Sequence, residues 1–146
     1  MRICRRMDNL KRAMATLLIY GDELVPDELT ALLGAPPKLG VRRGESFVGH
    51  QGNLITAKTG RWDVGTGWRE PPCIDKMICE VLHSLAEGTE LWRDLTTRFD
   101  CYLSVGLYFY DDSWTGGITL EPQTLRMLGE RGLALDLDMY APGASN

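Results

Sequence analysis

Ala15-Thr-Leu-Leu-Ile-Tyr-Gly-Asp-Glu-Leu-Val-Pro-Asp-Glu-Leu-Thr-Ala-Leu-Leu-Gly-Ala-Pro-Pro37 carries a strand, a turn, a short helix and a stop in one run. Ala15, Leu17 and Ile19 alternate with Thr16, Leu18 and Tyr20, the period of two of a β-strand. Leu18 on the second face implies that both faces are at least partly covered. Pro26 suits a first helical turn, where its missing N–H costs nothing and its fixed φ already fits. Asp27 and Glu28 place negative charge at the positive end of the helix dipole. Leu29, Leu32 and Leu33 form an apolar stripe. Gly34 is a natural helix-ending residue, and Pro36-Pro37 forbids continuation.

A looser copy of this unit lies further on. Leu103-Ser-Val-Gly-Leu-Tyr-Phe-Tyr110 alternates like a strand, and Pro122 to Gly129 reads as a helix. In both copies a Leu stands two residues before the Pro and another three residues after it. Chance similarity of two short helices explains this more readily than duplication, since the punctuation is common.

The chain has 146 residues, the size of one domain that can bury a core, and 44% hydrophobic with 25% charged residues is a globular balance. No apolar run approaches a membrane span or a secretory core, so a cytoplasmic protein is expected. Five basic residues among the first twelve, Arg2, Arg5, Arg6, Lys11 and Arg12, stand against Asp8, yet the net charge is −4. The body is therefore acidic, which argues against a nucleic-acid surface. Met7 is an alternative start that would remove most of the basic arm. Cys4, Cys73, Cys79 and Cys101 lack C-x-x-C spacing and are expected as free thiols.

Residues 1–12 read as a basic arm, 13–140 as a single domain and 141–146 as a tail. Lys38 to Glu45 reads as a loop. Ser46 to Gly49 and Asn53 to Lys58 flank His50-Gln-Gly52 as a hairpin. Arg61 to Gly65 is a strand with Trp62 and Val64 on one face. Ile74 to Glu87 is a helix with Ile74, Met77, Ile78, Val81, Leu82 and Leu85 in register. A second helix follows Thr89, carrying Leu91, Trp92, Leu95 and Phe99. Cys101 to Tyr110 is a long strand, Ile118 to Leu120 a short one, and Leu133 to Tyr140 the last, with Leu133, Leu135, Leu137 and Met139 inward. The order predicts an α+β fold: a mostly antiparallel sheet with helices on one face, ferredoxin-like or duplicated ferredoxin-like.

Gly21-Asp22, Pro26-Asp-Glu-Leu-Thr30, Leu33-Gly34 and Pro37, then Gly60-Arg-Trp62, then Leu135-Asp-Leu-Asp-Met-Tyr140, resemble the bacterial domain-of-unknown-function 4279 family. The resemblance covers roughly residues 14–140. It implies a small, single-domain, cytosolic bacterial protein. It brings no established activity, so no catalytic residue is carried over.

Motifs for chemistry are sparse. Cys79 and His83 have metal-ligand spacing on the long helix, but no second pair accompanies them and a solvated face explains His83. Asp111, Asp112 and Ser113 before a Gly pair read as turn chemistry rather than a calcium loop. Gly65-Thr-Gly67 and Gly49-His-Gln-Gly52 lack a phosphate loop's ending and open no helix. No metal, cofactor or catalytic residue is therefore assigned, and the balance leans against an enzyme. The informative feature is a face. Tyr102, Tyr108 and Tyr110 share one side of their strand, and Asp136, Asp138 and Tyr140 share one side of theirs. Polar alternation on a one-sided sheet accounts for both rows, but tyrosine is also enriched in interfaces.

Three functions remain. The first is a protein-binding module using this acidic tyrosine face, of which an immunity-type role against a toxin domain is one concrete version. The second is a small-ligand enzyme or sensor with a pocket at the loops bearing Trp62, Trp68 and Trp114, using His50, Asp136 or Asp138 as acid or base. The third is a homodimer that buries the tyrosines on a second copy. Neither nucleic acid nor membrane is expected as a partner.

Overall fold

The computed structural model describes residues 9–110 and 117–140. Its sheet is built around β1 (Leu10–Gly21), the first of five strands. Then come α1 (Pro26–Leu33), β2 (Leu39–Val41), β3 (Ser46–Val48), β4 (Leu54–Thr56), β5 (Gly60–Gly65), α2 (Ile74–His83), α3 (Thr89–Arg98), β6 (Asp100–Phe109), α4 (Pro122–Glu130) and β7 (Ala134–Tyr140). The sheet order is β2-β5-β1-β6-β7, and β3 pairs with β4 in a separate hairpin. β1 is antiparallel to β5 and β6, β2 is antiparallel to β5, and β7 is parallel to β6. The fold is thus α+β with a mostly antiparallel sheet. Without β7, the strand order and senses are compatible with one ferredoxin-like arrangement; a duplicated one would need a second such set, which is not present among the described residues.

The helices lie on one face because β6 and, past the bulge near Leu10, β1 alternate. Ala13, Ala15, Leu17 and Ile19 of β1, with Cys101, Leu103, Val105, Leu107 and Phe109 of β6, are buried in a single core. Leu29 and Leu33 of α1 meet it, as do six apolar residues of α2, Trp92 and Leu95 of α3, and Met127 and Leu128 of α4. α1 ends as its sequence requires: Gly34 takes φ 76° and its N–H bonds to the Thr30 carbonyl at 2.9 Å.

Several expectations are corrected. Leu10, Lys11 and Arg12, counted with the arm, belong to β1, which pairs with β6 from Leu10 onward. Leu39-Gly-Val41, read as loop, is an edge strand held by β5. Ile118 to Leu120 forms no strand. The likeness between the two strand–helix units stops at packing, for Leu29 is buried while the matching Leu125 is 52% exposed. Leu133, read as the first residue of the last strand, is buried just before β7, but Leu137 and Met139 on β7 are exposed. β7 is the sheet edge, and α4 packs against it. Cys73 is disulfide-bonded, not a free thiol, while Cys79 and Cys101 are free and buried. Burial, with Asp100 beside it, pushes the Cys101 thiol up to about 12.

One buried carboxylate in the helix layer is matched. Asp75, 3% exposed on α2, accepts from the Glu121 N–H at 3.0 Å and the Thr124 hydroxyl at 2.6 Å through one oxygen. A carboxylate from α2 thereby caps the first turn of α4.

Candidate functional site

The face of the sheet turned away from the helices is not flat. Its rows follow from the register. Arg61, Tyr20 and Asp100 lie side by side; next come Leu39, Asp63, Leu18, Tyr102 and Ala134; then Gly65, Thr16, Ser104 and Asp136; then Met14, Gly106 and Asp138; then Arg12, Tyr108 and Tyr140.

A ridge crosses the lower rows. After β5 the chain continues beside β1. Thr66 N–H bonds to Ala15 O at 2.9 Å, and Arg69 exchanges backbone bonds with Ala13 at 2.8 and 3.2 Å. This ladder swings Trp68 onto the sheet over Gly106, where a Cβ would stand 3.1 Å from the indole. Trp68 meets Tyr140 edge to face at 6.0 Å. The Arg12 guanidinium lies 4.7 Å from the Trp68 ring and 4.6 Å from the Tyr108 ring. A cation between two aromatic faces is held by their quadrupoles.

Above β2 and β5 stands the β3–β4 hairpin. Backbone bonds from Gly44 to Ala57 O and from Ala57 to Glu45 O, both 2.8 Å, tie its root. Opposed Phe47 and Ile55 face the sheet. Between hairpin and sheet is a cleft of about 780 Å³, lined by Met14, Thr16, Leu39, Phe47, Ile55 and Trp68 among others. Arg61 and Asp63 lie on its floor, Nε to Oδ2 at 2.7 Å, with the carboxylate buried. His50 and Lys38 also line it. The next hairpin pair, Val48 and Leu54, is 70% and 74% exposed.

A family model described as a domain of unknown function, DUF4279, matches residues 10–142, most of the chain. The chain belongs to this family. No curated protein and no solved structure matches it.

In this DUF4279 domain the residues singled out from sequence separate. Trp68 and His50 do line one cleft. Trp62 does not join them: it is fully buried on the helix side, where its indole N–H bonds to Thr30 Oγ1 at 3.1 Å. The strand's alternation puts it there, opposite in facing to Arg61 and Asp63. Trp114, Asp111, Asp112 and Ser113 lie outside the described residues, as does Cys4. The tyrosines share a face but not an environment. Tyr102 stacks on Tyr20 at 6.2 Å, Tyr108 lies under Arg12, and Tyr110, 60% exposed, has Lys11 6.0 Å above its ring. Asp136 and Asp138 are exposed on edge strand β7, and Asp138 accepts from the Ser104 hydroxyl at 3.1 Å. They are strands away from the cleft that His50 lines, so neither is brought to His50. Cys79 is turned into the core, with its thiol 3.7 Å from the Met127 sulfur, while His83 is exposed. No helix is long and apolar enough to cross a membrane among the described residues. Sequence reasoning placed the hairpin but missed its apolar pairs. Their signal was available in Phe47-Val48 and Leu54-Ile55, which put apolar groups on both sides of two short strands.

Partial burial, Tyr20 beside it and the carboxylates of Asp136 and Asp100 raise the Tyr102 phenol to about 12. The raised value means the fold favours the neutral phenol. That contribution is complete below about 10, the ordinary tyrosine value, and is lost as pH climbs from there to about 12. Denaturant midpoints across this window are expected to fall for the wild type and to fall less for Tyr102→Phe. Equal slopes would refute the assignment.

Proposed function

We propose that this domain is a binding module that recognises another protein, with the β3–β4 hairpin as its principal contact. The observation that supports this reading most is the hairpin's outer side. Val48 and Leu54 oppose each other there and are largely exposed, while Phe47 and Ile55 occupy the inner side. A short hairpin apolar on both sides gains by covering the outer one, and burying two such side chains is worth roughly 1.5–3 kcal/mol each. The acidic tyrosine half of the same sheet side supplies a second contact. Tyr102, Asp136 and Asp138, with Tyr108, Tyr110 and Tyr140, offer rings and carboxylates suited to a basic partner and to electrostatic steering. An immunity-type role, in which a bacterial cytoplasmic protein covers a basic toxin surface, is the concrete form of this reading.

Affinity capture from the source cells tests it. Wild-type protein is expected to retain a stoichiometric partner, and a Val48→Asp/Leu54→Asp variant is expected to lose it while melting within a few degrees of wild type. Capture of the same partner by both proteins would overturn the hairpin's role.

A further inference from the structure

We propose that the cleft beneath the hairpin binds a small amphipathic molecule, an apolar body bearing one anionic group. The site lies under the hairpin's inner side, reaches Val48 at its rim and needs no protein partner. Its volume of about 780 Å³ falls within the range of roughly 300–1,000 Å³ typical of small-ligand sites. Met14 and Leu39 from the sheet, Phe47 and Ile55 from the hairpin, and Trp68 from the ridge supply apolar surface on three sides. Displacing water from such walls is the driving force for an apolar body.

The charge of the lining selects the head group. Arg61 and Asp63 neutralise each other at 2.7 Å on the floor, so neither calls for a ligand charge. Lys38 is exposed at the mouth, with its backbone N–H on Asp63 O at 2.7 Å. Its ammonium makes no ion pair among the described residues. The cleft therefore carries one uncompensated cation beside an apolar interior. A carboxylate at Lys38 with its chain under the hairpin satisfies both. A cation would meet Lys38, and a purely polar solute would leave the apolar walls in water.

Titration calorimetry with sodium decanoate and with decanol tests this directly. The wild type is expected to bind decanoate at one saturable site. Lys38→Glu, at an exposed position where folding is not at stake, is expected to weaken decanoate about tenfold and leave decanol unchanged. Ile55→Arg is expected to abolish both, with an unchanged circular dichroism spectrum. Quenching of indole fluorescence by a brominated decanoate, lost in Trp68→Phe, would locate the chain in the cleft. Absence of saturable decanoate binding, or binding that Lys38→Glu leaves unaltered, would overturn the proposal. Saturation by an apolar peptide but not by decanoate would overturn it as well.

Discussion

A Trp62→Ala variant is expected to lose about 4 kcal/mol of stability, with a melting temperature lower by roughly 15 °C. Trp62 is fully buried where β5 meets α1, and its indole N–H is satisfied by Thr30. Thr30 in turn donates to Pro26 O at 3.1 Å, so one side chain links the strand to the first turn of the helix. Removing the ring leaves a cavity between a short strand and a short helix, neither of which can close far without disturbing the other. Thr30→Val, which strands the buried indole N–H without opening a cavity, is expected to cost only about 1–2 kcal/mol. Denaturant unfolding followed by circular dichroism measures both. If Trp62→Ala altered ligand binding while leaving stability within a few tenths of a kcal/mol, Trp62 would be a site residue after all.

Asp75→Ala is expected to cost about 3 kcal/mol, from two hydrogen bonds to one buried carboxylate oxygen. Without it the buried Thr124 hydroxyl loses its 2.6 Å acceptor and the Glu121 N–H its 3.0 Å one, and α4 loses the group that caps its first turn. α4 packs against both α2 and β7, so loosening it loosens the parallel edge strand. Both contacts converge on Oδ1. Asp75→Asn keeps an acceptor there and is expected to cost about 1 kcal/mol, mostly for the lost charge. Equal losses in the two variants would show that charge, rather than the acceptor, matters. Hydrogen exchange should report the difference locally, with faster exchange in α4 and β7 than in β1.

How far the sequence discloses this fold depends on where its signals are local. Pro26 and Gly34 bracket α1 because helix ends are set by residues within a turn of them, and the structure ends α1 where Gly34 says. The alternation of β1 and β6 sorted their two faces correctly, since a strand's period is intrinsic to its backbone. Leu39-Gly-Val41 escaped because three residues after two prolines carry no period; β5 supplies the pairing. Leu137 and Met139 were misjudged because alternation says which side a residue faces, not whether a helix covers that side. The site was less legible for the same reason. That Trp68 lies over Gly106 depends on a ladder with Ala13, more than fifty positions earlier. The separation of the acidic row from His50 depends on strand order, which no local pattern encodes.

The central claim, that the hairpin's outer side is a protein contact, is tested most directly by photo-crosslinking in the source cells from a benzoylphenylalanine placed at Leu54. Leu32, an exposed apolar residue on α1, serves as the control position. One abundant adduct with a different protein is expected from position 54 and none from position 32. No adduct at 54, the same adducts at both positions, or an adduct with a second copy of this chain would contradict it.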